Sequence, residues 1–221
     1  MNQLRFLATN CLRATGLFHP LRDARRDWRF RRHNRGLICN WRRNGCTPPA
    51  PDLLKYDVIR DQARRQGIRI LIETGTFYGN AIFALRHDFS LIHSIELAPE
   101  LHALNARELA HLPHIRLHLG DSASVLPALL PGLSEPALFW LDGHFCAGPS
   151  ARAEADTPIR RELDHLFALP AGGHLVLIDD ARLFTGRDGY PDLTELRDLV
   201  RRHRPGATCE VELDIIRIAP I

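Results

Sequence analysis

Five apolar runs in this chain each end in an acid. Glu73 follows I-R-I-L-I, Glu96 follows L-I-H-S-I, Asp121 follows H-I-R-L-H-L-G, Asp142 follows A-L-F-W-L, and the pair Asp179-Asp180 follows H-L-V-L-I. Carboxylates gathered in one place repel one another and are costly to desolvate. A common site would therefore require a cation or a hydroxyl-bearing ligand. Each acid also has a plainer reading, since Asp121 and Asp180 are both placed to cap a following helix. Five caps at five successive runs explain the pattern less well than one shared rim.

The first acid lies in the most specific stretch, L-I-E-T-G-T-F-Y-G over 71–79. Gly75 and Gly79 remove side chains where a strand would turn into a helix, which would let a ligand press on bare backbone. The loop lacks the G-x-G-x-x-G spacing that seats a pyrophosphate on a helix N-terminus. An acid entering the turn suits a ligand with a cationic amine and no phosphate. An ordinary glycine turn is the alternative.

The elements that would position these residues alternate regularly from residue 52 onward. Asp52 can cap a helix through about Gln66, which Gly67 ends. Strands are expected at 68–73, 91–96, 114–119, 137–141 and 174–178. Helices are expected at 80–87, 99–111, 122–130, from Pro158 through Phe167, and at 193–203. Such alternation implies a parallel, doubly wound α/β sheet with right-handed crossovers, delivering all five acids to one edge. The last two runs, 209–213 and 215–218, are too close for a crossover helix and should pair as an antiparallel hairpin.

Composition bounds the rest. At 221 residues with 45% hydrophobic content, one main domain and an appendage are expected. No apolar stretch approaches the roughly 20 residues of a membrane span, and the start lacks a secretory apolar segment. Five scattered cysteines form no C-x-x-C pair, which argues against a disulfide framework or zinc knuckle and favours a reducing cytoplasm. The net charge of +3 hides an asymmetry: eleven arginines face only Asp23 and Asp27 in residues 1–50, leaving that part +9 and the remainder −6. Lys55 is the single lysine, so arginine is partly a habit of composition. The block Arg22–Arg35, with Trp28 and Phe30 interleaved, suits a solvated or self-docking arm, or an anionic membrane surface at 1–46; nucleic acid is less favoured. Residues 47–51, T-P-P-A-P, read as a stiff linker between this 1–51 arm and a 52–221 domain.

Residues 68–218 resemble a class I S-adenosylmethionine-dependent methyltransferase, a Rossmann-like fold. The resemblance implies a first loop of Glu73, Gly75, Thr76 and Gly79 around the methionine part of the donor. It implies Glu96 on both ribose hydroxyls and Asp121 with Ser122 at the adenine amine. E-T-G-T-F-Y-G is further similar to the first motif of catechol O-methyltransferases. That likeness implies magnesium held by Asp142, Asp179 and Asp180, as in related sugar O-methyltransferases. Their general base two residues after the strand-four acid would here be His144, beside Asp142. The lysine near the strand-four acid of the catechol enzymes has no counterpart. W-L-D-G-H, D-D-A-R-L-F and G-Y-P also look like methyltransferases without an assigned acceptor.

The resulting expectation is divalent-metal-assisted O-methylation of a small hydroxylated molecule or sugar. A metal-independent N- or O-methyltransferase, a nucleotide-binding dehydrogenase and a catalytically silent binding protein stay open. Arg182 would either grip substrate or lock the loop onto Asp179 or Asp180. Residues 145–157 are expected as a lid, Cys146 as no nucleophile, and Trp140 as core.

Overall fold

The computed structural model describes residues 18–143 and 157–221. His144, Cys146 and nearly all of the expected lid lie outside the described residues. The backbone groups into two units, 1–47 with 51–53, and 48–50 with 54–221.

The first unit places the basic block, expected as a solvated or self-docking arm or a membrane-facing surface, on a long helix. Phe18–Arg43 is one helix of 26 residues, α1. Arginine, alanine and leucine are strong helix formers; Pro20 falls in the first turn, where no intrahelical N–H bond is lost; the single Gly36 costs only about 1 kcal/mol. The helix stops where Gly45 and Cys46 turn left-handed, at φ 76° and 58°, and their N–H groups close on the carbonyls of Arg42 and Trp41. Asn34 is buried; its Nδ2 donates to the Phe30 carbonyl and its Oδ1 accepts from Leu53 N.

From residue 52 onward the alternating pattern folds as expected, with α2 (Asp52–Gln66), β1 (Ile70–Thr74), α3 (Asn80–Leu85), β2 (Leu91–Glu96), α4 (Pro99–Leu109), β3 (Ile115–Leu119) and α5 (Ser122–Leu129). There follow β4 (Ala137–Leu141), α6 (Ile159–Phe167), β5 (Leu175–Ile178), α7 (Leu193–His203), β6 (Thr208–Glu212) and β7 (Ile215–Ala219). The seven strands lie in the order β3-β2-β1-β4-β5-β7-β6. The first five are mutually parallel, and β7 runs antiparallel between β5 and β6.

Central strands buried on both faces explain their unbroken apolar runs. Ile72, Phe139, Leu141, Val176 and Ile178 join Leu126, Leu163, Leu166, Leu196 and Val200 in one cluster, so α5, α6 and α7 cover that face. Leu71, Leu138, Trp140 and Leu177 alternate to the other face and are equally buried. Trp140 is core, as expected, although register places it beside Glu73 on the same face. The parallel register also sets where the chain leaves the sheet. Glu73 pairs with Ser94 and Trp140, and Thr74 with Leu141, which pairs in turn with Ile178. The segments after β1, β4 and β5 therefore emerge side by side. Strand order reverses at β1, which creates the crevice where open α/β sheets take their ligands.

Gly75 shows how tightly that edge is built. Its φ is +85°, and a Cβ there would lie 2.4 Å from the carbonyl oxygen of Asp142. Gly75→Ala is expected to destabilise the fold by roughly 2–4 kcal/mol, whereas Gly36→Ala, with open space around it, should be neutral or stabilise by up to about 1 kcal/mol. Urea denaturation of the two variants beside wild type checks both signs.

Candidate functional site

The loop after β1 is held by residues on two neighbouring elements. Phe77 adopts left-handed φ of 48°, a strained state for a bulky residue. Its N–H donates to Glu96 Oε2 at 2.7 Å, and its carbonyl accepts from Asn105 Nδ2 at 2.6 Å. Asn105, on α4, is buried and also backs Gly79, where a Cβ would lie 2.5 Å from its Oδ1. Gly75 and Gly79 leave no room for a side chain. At these two positions the space is filled by the protein's own Asp142 backbone and Asn105 amide. Thr76 is buried, and its Oγ1 lies 2.6 Å from Ser94 Oγ, which donates to Glu73 Oε2 at 2.5 Å.

Glu73 is 1% exposed. Burial, followed by the charges of Asp142 and Glu96, pushes its carboxyl up to about 8 against the relief given by Ser94. Those charges also show that acids from the ends of β1, β2 and β4 converge. Glu96 is buried at the end of β2, with Oε1 accepting from Ala98 N at 2.9 Å as Oε2 accepts from Phe77 N. Each oxygen keeps another lone pair for a ligand hydroxyl. Asp121 stands at the N-cap of α5 but makes no side-chain cap bond. Its carboxylate instead accepts from Ser124 Oγ at 2.8 Å and faces Arg161 of α6 at 3.2 and 3.4 Å. Ser122 beside it is buried.

The acids at β4 and β5 meet a residue that motif reading passed over. Lys55 of α2 is 5% exposed, and its Nζ spans both oxygens of Asp179 at 2.6 and 2.7 Å, with Asp180 Oδ1 at 3.5 Å. Burial works against the ammonium, but Asp179, Asp180 and Asp142 more than restore it, so its pKa lies above the ordinary lysine value. Burial and Asp142 push Asp179 up to about 7, while Lys55 pulls it back. Breaking such a buried pair from one side costs about 3–5 kcal/mol. Asp180 adopts left-handed φ of 57° and is gripped at Oδ1 by Arg182 at 2.6 Å. Arg182 also donates to Asp214, so it locks the loop after β5 rather than standing open to substrate.

Asp214 belongs to the β6–β7 turn, where Leu213 and Asp214 both have positive φ, as a two-residue hairpin requires. Its carbonyl accepts from Ala181 N, pinning that turn to the β5 loop. Two further groups gather here. Glu162, in the first turn of α6, is buried with Oε1 facing Gly143. Tyr190 is pushed up to about 12 by burial, eased by its bond to Thr157, and raised again by Asp180, Glu162 and Asp142.

The described candidates therefore fall into one connected edge: Glu73, Thr76 and Glu96 on one side of β1, and Asp142, Asp179 and Asp180 on the other. Asp121 with Ser122 stands at the end of β3. The placement of His144 lies outside the described residues. Lys55, Asn105 and Glu162 were missed because no motif marks them, and Tyr190, though within the G-Y-P motif, was given no role. The one available signal was Lys55 itself, the sole lysine among 29 basic residues.

No protein-family model matches the chain, and a search of the curated proteins finds no relative. Solved structures do match. The O-methyltransferase TomG from Streptomyces achromogenes, bound to S-adenosylmethionine, shares 18% identity over 79% of this chain and 81% of its own, with a TM-score of 0.51. A putative caffeoyl-CoA O-methyltransferase from Staphylococcus aureus shares 15% over 90% and 100%, with a TM-score of 0.52. An O-methyltransferase from Bacillus cereus, bound to S-adenosylhomocysteine, shares 14% over 76% and 81%, with a TM-score of 0.50. The sheet described above thus shares the fold of these solved methyltransferases.

Glu73 makes a pH prediction. Its folded pKa of about 8 lies above the ordinary 4.5, so the native state keeps the proton longer than the unfolded chain. The stability this supplies is present below pH 4.5 and is lost as pH rises through 8. Glu73→Gln should flatten the fall in melting temperature across that window, read by calorimetry at a series of pH values.

Proposed function

We propose that the chain transfers a methyl group from S-adenosylmethionine to an oxygen of a small hydroxylated molecule or sugar. The observation carrying this reading is the convergence of Glu73, Glu96, Asp142 and Asp179 on the carboxyl edge of this sheet, beside the strand-order reversal. In this reading Glu73, with Gly75, Thr76 and Gly79 shaping its loop, faces the cationic methionine end of the donor. Glu96 offers its remaining lone pairs to two vicinal ribose hydroxyls, and Asp121 with Ser122 faces the adenine amine. The donor supplies an activated methyl whose C–S electron pair stays on sulfur as the acceptor oxygen bonds to carbon. Asp142 or His144 takes the acceptor's proton, and alignment of the two reactants supplies most of the acceleration.

A magnesium ion on Asp142, Asp179 and Asp180 was expected to assist. The residues as they stand do not fit a hard dication. Lys55 already spans both oxygens of Asp179, Asp180 is shared between Lys55 and Arg182, and no metal-ligand cluster forms among the described residues. No step is routed through a metal here.

Two measurements test the donor site. S-adenosylhomocysteine should bind by calorimetry and NAD should not; Glu96→Ala should weaken binding by roughly 10- to 100-fold, the loss of one or two charge-assisted hydrogen bonds. Absence of donor binding to wild type would end this reading. A pool of hydroxylated acceptors incubated with labelled donor, with and without chelator, then identifies the acceptor class.

For α1 we propose docking on an anionic membrane surface. Trp28 is 59% exposed with the Arg32 guanidinium 5.2 Å from its ring, and Arg31 and Arg35 line the same hollow. Among the described residues no helix is long and apolar enough to cross a membrane, so contact would be peripheral. Co-sedimentation with anionic vesicles should fall with added salt and be lost when Trp28, Arg31, Arg32 and Arg35 are changed to alanine. Retention by that variant would remove the proposal.

A further inference from the structure

We infer that Lys55 is the resident cation of the carboxylate cluster, standing in the place a divalent ion would take, so that this rim works without a metal. This deepens the methyltransferase reading and rests on it for the reaction alone; the charge arrangement is independent of it.

Three observations carry the inference. The first is geometric. Magnesium takes about six oxygens at roughly 2.0–2.1 Å, several of them waters and the rest from one or two carboxylates free to turn toward it. Here Nζ occupies both oxygens of Asp179 at 2.6 and 2.7 Å and reaches Asp180 at 3.5 Å. Asp179 is 5% exposed and Lys55 5%, so neither group can swing into solvent to admit an ion without leaving a buried charge unpaired. The second is charge balance. Asp142, Asp179 and Asp180 face Lys55 and, at the outer side, Arg182, which also holds Asp214. With Lys55 in place, a dication at Asp179 would stand against an ammonium already on both of its oxygens, a repulsion that removing Lys55 would relieve.

The third is compositional. The chain supplies every other cation as arginine. An ammonium is a compact point charge on a flexible stem, while guanidinium is a broad planar fork. A lysine used once, where a small cation sits between the buried carboxylate of Asp179 and the half-buried one of Asp180, is the residue type the space requires. Lys55 is thereby a positioning residue. It fixes Asp179 and Asp180 and holds the floor of the site beside Asp142 in one arrangement before any acceptor arrives.

The test uses the full-length protein, stripped with chelator and titrated with Mn2+ while the free-ion signal is followed by electron paramagnetic resonance. Wild type should leave that signal undiminished and its melting temperature unmoved. Lys55→Met should gain one Mn2+ per chain and a melting temperature that rises with Mn2+, and Lys55→Met combined with Asp179→Asn should lose both. Stoichiometric Mn2+ binding by wild type that Asp179→Asn abolishes would overturn the inference. So would a folded Lys55→Met that takes up no Mn2+. Should Lys55→Met fail to fold even with Mn2+ present, the wild-type titration, with Asp179→Asn beside it, decides alone. S-adenosylhomocysteine binding measured on the same samples separates the outcomes: loss of donor binding speaks against the methyltransferase reading, and Mn2+ uptake by wild type against Lys55.

Discussion

The buried pair between Lys55 and Asp179 is the interaction on which the carboxyl edge of this sheet depends. A carboxylate at the end of a central strand is nearly dry, and without a counter-charge it must either protonate or unfold its surroundings. Lys55 reaches it from the helix that precedes β1, so that helix and the end of the fifth strand are tied by charge at the site itself. From that contact an alternating chain of charge runs outward through Asp180, Arg182 and Asp214 into the β6–β7 turn. The chain also accounts for three non-glycine residues with positive φ. Asp180, Leu213 and Asp214 keep a costly backbone because each lies within or beside a bonded network that offers no cheaper alternative.

A second constraint governs the donor side. Glu96 and Asn105 hold Phe77 from both ends of its peptide unit, and Asn105 closes against Gly79. The glycines there serve close packing of protein on protein. A loop so fixed arrives at a ligand already shaped, which lowers the ordering cost of binding. Glu73, dry and with no cation paired to it among the described residues, is in contrast left at high energy when charged. That asymmetry between a compensated acid at β5 and an uncompensated one at β1 defines two halves of the edge. One half is neutralised by the protein; the other favours an incoming positive charge.

Much of this was legible in order along the chain. Apolar runs of four to six residues separated by helical segments set the doubly wound sheet and its closing hairpin, and the acids at their ends set the site's edge, because parallel strands align their carboxyl ends. Two things escaped. The helix α1 has no apolar stripe to announce it; propensity, chiefly that of its nine arginines, carries it, and a basic run looks the same whether helical or not. Lys55, Asn105, Glu162 and Tyr190 lie on four different segments, and no spacing rule links them to the acids they face.

The sequence by itself determined the alternation of elements, the direction of the strands and the chemistry at their ends, since these follow from local periodicity and from the fixed geometry of parallel pairing. Only the tertiary structure decided what neutralises each acid. Asp179 meets an ammonium drawn from 124 positions away, Asp121 meets Arg161 across from another helix, and Glu73 accepts from the Ser94 hydroxyl. Counter-charge is a property of neighbours in space, and a chain read residue by residue does not say which of its helices will lie against which strand's end.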